Sequence, residues 1–413
     1  MSERRVVVTG IGFASPIGHD LETAGRALRE GRSGVRRMPE WDSVEQLKTR
    51  LAAPITDIEF DFPRKKARSM GRVALLATWA SERAIADAGL DPESLRAPSA
   101  GVAYGSTHGS SSASEAWMRK LIENGGFRGI QPAEYLKFMS HTTSANLATY
   151  YGVRGRVIST CAACVSGSQA VGAGYEAIRY GREELMLCGG AEELHFSHAG
   201  VFDVMYAASA RYNDQPEASP RPFDRERDGL VVGEGAGSFV LESLEHAQAR
   251  GARIYAELLG YGTNCDGTHV TNPSSAGMAG AMRAALEDAK VAPASIDYVN
   301  AHATATDVGD VAESEATAAV FGAEVPVSST KGFTGHTLGA CGVIEAAFSI
   351  AMMNEGWLAP NHNLQELDPR CAKLDYVREL RETGPLDRIM SNNFAFGGIN
   401  TSLIFGAWRE GRK

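Results

Sequence analysis

Short apolar, β-branched runs closed by small residues punctuate this sequence, and stretches with helical spacing lie between them. Arg5 to Thr9 ends in Gly10-Ile11-Gly12, Gly101 to Tyr104 in Gly105-Ser106, and Glu184 to Cys188 in Gly189-Gly190. Ile296 to Asn300 ends in Ala301-His302, Val325 to Ser328 ends near Lys331, and Met390 to Asn392 runs into Asn393-Phe394-Ala395-Phe396-Gly397-Gly398. Val73 to Gly89, Ser166 to Gly181, Met278 to Lys290 and Leu338 to Glu355 carry the spacing of helices. Strands that alternate with helices predict an α/β fold with largely parallel, buried sheets. Arg5 to Gly12 also echoes Arg253 to Gly262, each closing in Gly-x-Gly. The echo predicts a duplicated unit, with halves at residues 1–250 and 251–413 parted by the turn Gln248-Ala249-Arg250-Gly251.

The 413 residues suffice for two or three units with a large core, and 44% hydrophobic with 22% charged residues exclude a disordered chain. A net charge of −9 argues against a general nucleic-acid binder. The six cysteines are scattered rather than spaced as a disulfide framework. Cys161, Cys164, Cys188 and Cys341 lie in apolar or Gly/Ala-rich runs, where a reduced, packed thiol is expected. No run approaches the ~20 apolar residues of a membrane span, and Val6-Val7-Val8 is too short for a signal-peptide core. A cytoplasmic, soluble protein is the expectation.

Gly10-Ile11-Gly12 after a strand invites a dinucleotide-binding reading, but Ser15 stands where a third glycine belongs. Structural turn glycines are expected instead. His195 and His198 have metal-ligand spacing without a recognisable third ligand, so structural or solvated histidines are expected. The stretch Arg156 to Ala177 passes from a β-branched run through small residues to Cys164 and a helical segment. A thiol there sits over the positive end of a helix, a field that lowers its pKa. Taken alone, Cys164 is still more simply a buried, inert cysteine. His302 and His336 each follow a predicted strand, at the edge where α/β sheets bind ligands. One cysteine and two histidines so placed form a nucleophile with an acid/base pair.

At this point the chain resembles the elongating β-ketoacyl-[acyl-carrier-protein] synthases, the Cys-His-His condensing enzymes of the thiolase fold. The resemblance covers essentially the whole chain. It is carried by Val6 to Gly12, Ala162-Ala163-Cys164-Val165-Ser166-Gly167, Arg221 to Gly229, the two histidine motifs and Asn393 to Asn400. It implies duplicated βαβαβ halves in a five-layered αβαβα sandwich. It selects Cys164 over Cys161, because the family's nucleophile precedes a helix glycine by eight residues and a helix glutamate by twelve, here Gly172 and Glu176. Cys161 is then expected as a packed strand residue.

The resemblance further implies a ping-pong decarboxylative condensation in fatty acid, polyketide or polyene synthesis. Cys164 takes an acyl chain from a carrier protein, and malonyl on a second carrier loses CO₂ and attacks it. His302 and His336 polarise the malonyl carbonyl, with the main-chain N–H groups of Cys164 and Phe396 meeting the acyl oxyanion. Lys331 supports the pair, Glu345 holds Lys331, and Asp310 and Glu313 order the loop after His302. Thr304 and Thr306 bind the phosphopantetheine arm, which the carrier brings, so no resident cofactor or metal is expected. Phe396 gates the acyl pocket and Phe394 packs. The basic run Arg64, Lys65, Lys66 and Arg68 matches the family's docking region for an acidic carrier protein. A homodimer, or a heterodimer with a related ketosynthase or chain-length factor, is implied; nucleic acid and membrane are not.

Three departures stand out. Ala395 places a Cβ in the gating loop, Ile399 lacks a hydroxyl, and Asp307 brings charge toward the pantetheine tunnel. His108 and Ser110-Ser111-Ser112 make the acyl-pocket region polar, which suggests unsaturated, aryl-capped or polyketide-like chains. A non-catalytic partner subunit would lack Cys164, a thiolase would carry a second cysteine near the C-terminus, and an initiating synthase would have asparagine at His336.

Overall fold

The computed structural model describes residues 3–409. The main sheet has eleven strands and reads as two similar halves joined edge to edge. The first half runs Val6–Ala14, Gly235–Ser243, Leu185–Glu192, Ala100–Gly105, Val157–Thr160. The second runs Ala256–Cys265, Ile399–Ala407, Arg388–Ala395, Tyr298–Asn300, Pro326–Ser328, with Asp375–Tyr376 added at its edge. Val6–Ala14 and Ala256–Cys265 pair antiparallel and weld the halves. In each half the two pairings nearest the weld are antiparallel and the next two parallel. The sheet is therefore mixed rather than largely parallel. Gly235–Ser243 and Ile399–Ala407 went unseen in the sequence because they lack the β-branched runs that mark the parallel strands.

Gly10 and Gly12 lie within a strand rather than in a turn, which corrects the expectation. A methyl on Gly10 would fall 2.2 Å from the Ala84 carbonyl oxygen, and one on Gly12 would fall 2.3 Å from that of Ala80. Their equivalents Gly260 and Gly262 meet the carbonyls of Ala285 and Ala281 at 2.5 and 2.1 Å. Each Gly-x-Gly lets an alanine-faced helix lie directly on the strand. Each is preceded by a bulge, at Thr9 and at Leu259. The bulge at Thr9 turns Ile11 and Phe13 toward the same core as Val6 and Val8.

Helices fill three layers around the two half-sheets. Arg72–Asp87 packs outside the first half, joining Val102, Leu187 and Val240. Ser275–Ala289 packs outside the second, joining Val299, Met390 and Ile404. Ser166–Arg179 and Cys341–Glu355 lie between them, where Val171, Tyr175, Val343 and Phe348 meet Phe13, Phe239 and Phe405. This is the five-layered αβαβα sandwich of the thiolase fold. Among the described residues, no helix is long and apolar enough to cross a membrane.

Candidate active site

Cys164 follows the edge strand Val157–Thr160 in a short 3-10 turn, Ala163–Val165, that leads into helix Ser166–Arg179. The hydroxyl of Ser166 accepts from the Ala162 N–H at 3.0 Å and donates to the Ala163 carbonyl at 2.7 Å, closing the elbow. His302 follows strand Tyr298–Asn300, and Glu313 accepts the main-chain N–H groups of His302 and Ala303 at 2.8 and 2.6 Å. His336 is held by its backbone: its N–H reaches the Val231 carbonyl at 2.7 Å, and its carbonyl accepts from Gly233 at 2.8 Å. Ala163, Ala305 and Leu338, each within three residues of one of these side chains, adopt left-handed φ of +48°, +69° and +48°. Such backbone costs non-glycine residues roughly 1–3 kcal/mol each and clusters where geometry serves function.

These elements bring the three side chains together. His336 Nε2 lies 2.9 Å from Cys164 Sγ. The imidazole rings meet edge to face with centroids 5.1 Å apart. Sγ and one nitrogen of each ring all lie within 4.8 Å of one another, close enough for a metal ion to bridge. The Nδ1 atoms make no hydrogen bond among the described residues, so neither tautomer is locked.

Burial governs the charge states. It pushes the Cys164 thiol up to about 12, with the Lys331 ammonium pulling the other way. The expected lowering at the helix N-terminus is therefore corrected: desolvation of a fully enclosed sulfur outweighs the helix field. Burial, aided by the Lys331 charge, holds His302 and His336 well below the usual imidazole range. The resting site is a neutral thiol beside two neutral imidazoles.

Lys331 and Glu345 are buried and 2.6 Å apart, so Glu345 is no helix-surface carboxylate. Burial works against the ammonium, but Glu345 outweighs it and keeps Lys331 charged. Asn393 donates to the other oxygen of Glu345 at 2.9 Å. Asp310 accepts from Phe223 at 2.7 Å and from Ala305 at 3.1 Å. Burial raises Asp310 to about 6 and Glu313 to about 8. Arg227 donates to the carbonyls of Thr306 and Asp307 at 3.0 and 2.7 Å and to Asp368 at 2.6 Å. Arg221 to Gly229 thus braces the loop after His302. That role was missed, although so many charges in a run that also holds Pro222 and Phe223 were its signal.

Above the trio opens a cavity of about 530 Å³, with Thr304, Thr306 and Phe396 on its walls. The Thr304 hydroxyl donates to that of Thr306 at 3.2 Å. Phe396 begins the tight turn of a hairpin whose strands are Arg388–Ala395 and Ile399–Ala407, and its ring packs on Phe202 at 5.5 Å. Ala395 still pairs with Ile399 inside that hairpin, while Gly397 and Gly398 carry φ of +87° and +70°. The left-handed backbone of this turn thus falls on those glycines and not on Ala395. Phe394 does more than pack: it lines the cavity, with its ring 6.1 Å from that of His302.

Arg64, Lys65, Lys66 and Arg68 lie on the surface in and after the one-turn helix Arg64–Ala67, away from the cavity lining. Lys66 donates to the Tyr150 carbonyl at 3.0 Å. Among the described residues, none of the four forms an ion pair. Asp307 is paired with Arg370 at 2.5 Å. Cys161 is exposed rather than packed, because it lies beyond the end of its strand. His195 caps helix Phe196–Val204 and faces Glu115 at 3.0 Å, and His198 is buried.

The description "Beta-ketoacyl synthase, N-terminal domain" matches residues 3–247, and "Beta-ketoacyl synthase, C-terminal domain" matches residues 255–365. The chain belongs to the β-ketoacyl synthase family. It is 38% identical over 404 residues to the 3-oxoacyl-[acyl-carrier-protein] synthase 1 of Haemophilus influenzae, covering 97% of this chain and 98% of the relative. A crystal structure of a β-ketoacyl synthase from Burkholderia phymatum superposes with a TM-score of 0.95 at 52% identity, covering 98% of this chain and 100% of that one. The ishigamide ketosynthase/chain length factor superposes at 0.91 with 33% identity, covering 99% of this chain and 100% of that one. This synthase is an acyltransferase.

Proposed function

We propose that this synthase joins a malonyl unit to an acyl chain held on Cys164, giving a 3-oxoacyl-[acyl-carrier-protein] longer by two carbons. The observation that carries this reading is a thiol 2.9 Å from one imidazole, with a second imidazole against the first. The sulfur of Cys164 attacks the thioester of an acyl-carrier protein while its proton moves to Nε2 of His336. The carrier thiol leaves with a proton, and the acyl chain remains on sulfur. The main-chain N–H groups of Cys164 and Phe396 receive the oxyanion. Malonyl-carrier then enters, and the bond to its carboxylate breaks. CO₂ departs, and the electron pair forms an enolate whose oxygen takes N–H donors from His302 and His336, both neutral and both able to present one. The enolate carbon attacks the acyl carbon, the C–S bond breaks, and the Cys164 thiolate takes up a proton.

Lys331 and Glu345 keep a fixed positive charge beside the pair, and Asp310 and Glu313 hold the loop that carries His302. Thr304 and Thr306 suit the amides of a phosphopantetheine arm, being donor and acceptor at once. The protein groups cover each step without a resident cofactor or metal. Arg64, Lys65 and Arg68, exposed and without an ion pair among the described residues, steer an acidic carrier protein. A second chain, identical or a related chain-length factor, pairs along the open edge strand Val157–Thr160, where Val157 is exposed. The need for a reduced nucleophile and six unpaired cysteines favour the cytoplasm. The presence of Cys164 disfavours a non-catalytic subunit.

Intact-protein mass spectrometry after exposure to a panel of acyl-carrier proteins tests this reading. One acyl group per chain, mapped to Cys164, is expected; acylation elsewhere, or none with any chain, contradicts it.

A further inference from the structure

The side chains of Cys164, His302 and His336 form a ligand set as well as a catalytic one. Sγ of Cys164 and one nitrogen of each imidazole lie within 4.8 Å of one another, and His336 Nε2 stands 2.9 Å from the sulfur. A tetrahedral zinc ion bonds sulfur at ~2.3 Å and imidazole nitrogen at ~2.0–2.1 Å, which sets its ligand atoms about 3.4–3.6 Å apart. The trio brackets those separations, so small side-chain rotations close it around an ion. One thiolate with two imidazoles suits zinc and not magnesium or calcium, which take oxygen ligands. All three residues line the cavity, so an ion can enter from it and a fourth position opens into it for water.

The surroundings admit a dication. Lys331 is the cation that acts on Cys164, and Glu345 already holds it at 2.6 Å. Glu192 and Glu345 act on the same sulfur with the opposite sign. Both imidazoles are neutral and each offers a lone pair. One proton leaves Cys164 for solvent as its sulfur takes the ion. The far nitrogen of His336, Nδ1, has no hydrogen-bond partner among the described residues. The ring therefore lacks the outer contact that orients a metal-bound histidine, a loss that weakens binding about 10–100-fold and makes the ion easy to remove.

We propose that Cys164, His302 and His336 bind one zinc ion reversibly, and that the ion switches the synthase off by occupying the sulfur that takes the acyl chain. The switch rests on Cys164 as the acyl carrier; the binding does not. An acylated sulfur has no thiolate to give, so metal and acyl chain exclude each other.

Titration of the untagged, metal-free synthase with Co²⁺, a spectroscopic stand-in for zinc, tests the proposal. A near-ultraviolet sulfur-to-cobalt charge-transfer band is expected to saturate at one equivalent per chain. Zn²⁺ should displace that cobalt, and Mg²⁺ should not. Prior acylation of Cys164 should abolish the band, and Zn²⁺ should in turn block acylation until a chelator is added. Cys164→Ser removes the band. His302→Ala and His336→Ala each weaken Co²⁺ binding by more than about tenfold, the least that even a lost outer contact costs. No band at one equivalent, or a band that survives Cys164→Ser or acylation, overturns the proposal; acylation of Cys164 then leaves the condensing reading standing. A band with no loading by any acyl-carrier protein would overturn the condensing reading and the switch together, with the metal site intact.

Discussion

The two halves of the sheet share strand order, bulge and Gly-x-Gly, yet their strand ends carry different chemistry. The first half's edge strand leads to Cys164, and its equivalent in the second, Pro326–Ser328, leads to Lys331 and then His336. The neighbouring strands lead to His108 in one half and His302 in the other. The edges differ too, since Asp375–Tyr376 covers Pro326–Ser328 while Val157–Thr160 stays open. One scaffold used twice has thus been divided: the first half carries Cys164 and an open edge strand, and the second carries Lys331 and both histidines; under the proposed reading the first holds the acyl chain and the second polarises the extender. The bulges and close helix contacts are common to both because they serve packing, whereas the loops are free to diverge.

That division can be broken one half at a time. Cys164→Ala is expected to reduce condensation by more than about 10³-fold, as loss of a nucleophile does, yet to leave malonyl-carrier decarboxylation measurable as CO₂ release. Loss of both activities would show that the halves do not act separately. His302→Ala reverses the pattern. Condensation is expected to fall about 10²–10³-fold, the usual worth of one oxyanion donor, while Cys164 still accepts an acyl group by mass spectrometry.

The helices that build this division were legible. Ser166–Arg179 and Cys341–Glu355 lie close to where their spacing put them. Cys164, His302 and His336 were legible through their motifs at strand ends. The charge state of Cys164 was not, because the helix field is local in sequence whereas desolvation comes from elements distant along the chain. The bridge between His336 and Val231–Gly233 was hidden for the same reason. Gly10 and Gly12 were recognised as structural but misplaced, since a strand glycine under a helix and a turn glycine look alike in one sequence.

Effects on stability sharpen the comparison on the second half. Glu345→Leu leaves the buried Lys331 ammonium unpaired and is expected to cost about 3–5 kcal/mol in urea unfolding. An unchanged midpoint would mean that the pair is not needed. Burial raises the folded pKa of Glu313 to about 8, from an ordinary carboxyl value of about 4.5. The native state therefore binds more protons than the unfolded chain between those values, and this group's contribution makes stability fall as pH rises through that window. Glu313→Gln should flatten that part of the unfolding free energy measured from pH 5 to 8. The smallest effect concerns the first half's surface. Lys65→Glu with Arg68→Glu should raise the KM for carrier-bound substrate several-fold at low salt, and added salt should narrow the gap.

The most direct test is a single turnover with acyl-Cys164 already formed and malonyl-carrier protein added. The account predicts one CO₂ and one 3-oxoacyl chain, longer by two carbons, for each acyl group lost from Cys164. Release of the original chain as free acid, with no carbon–carbon bond formed, would contradict it.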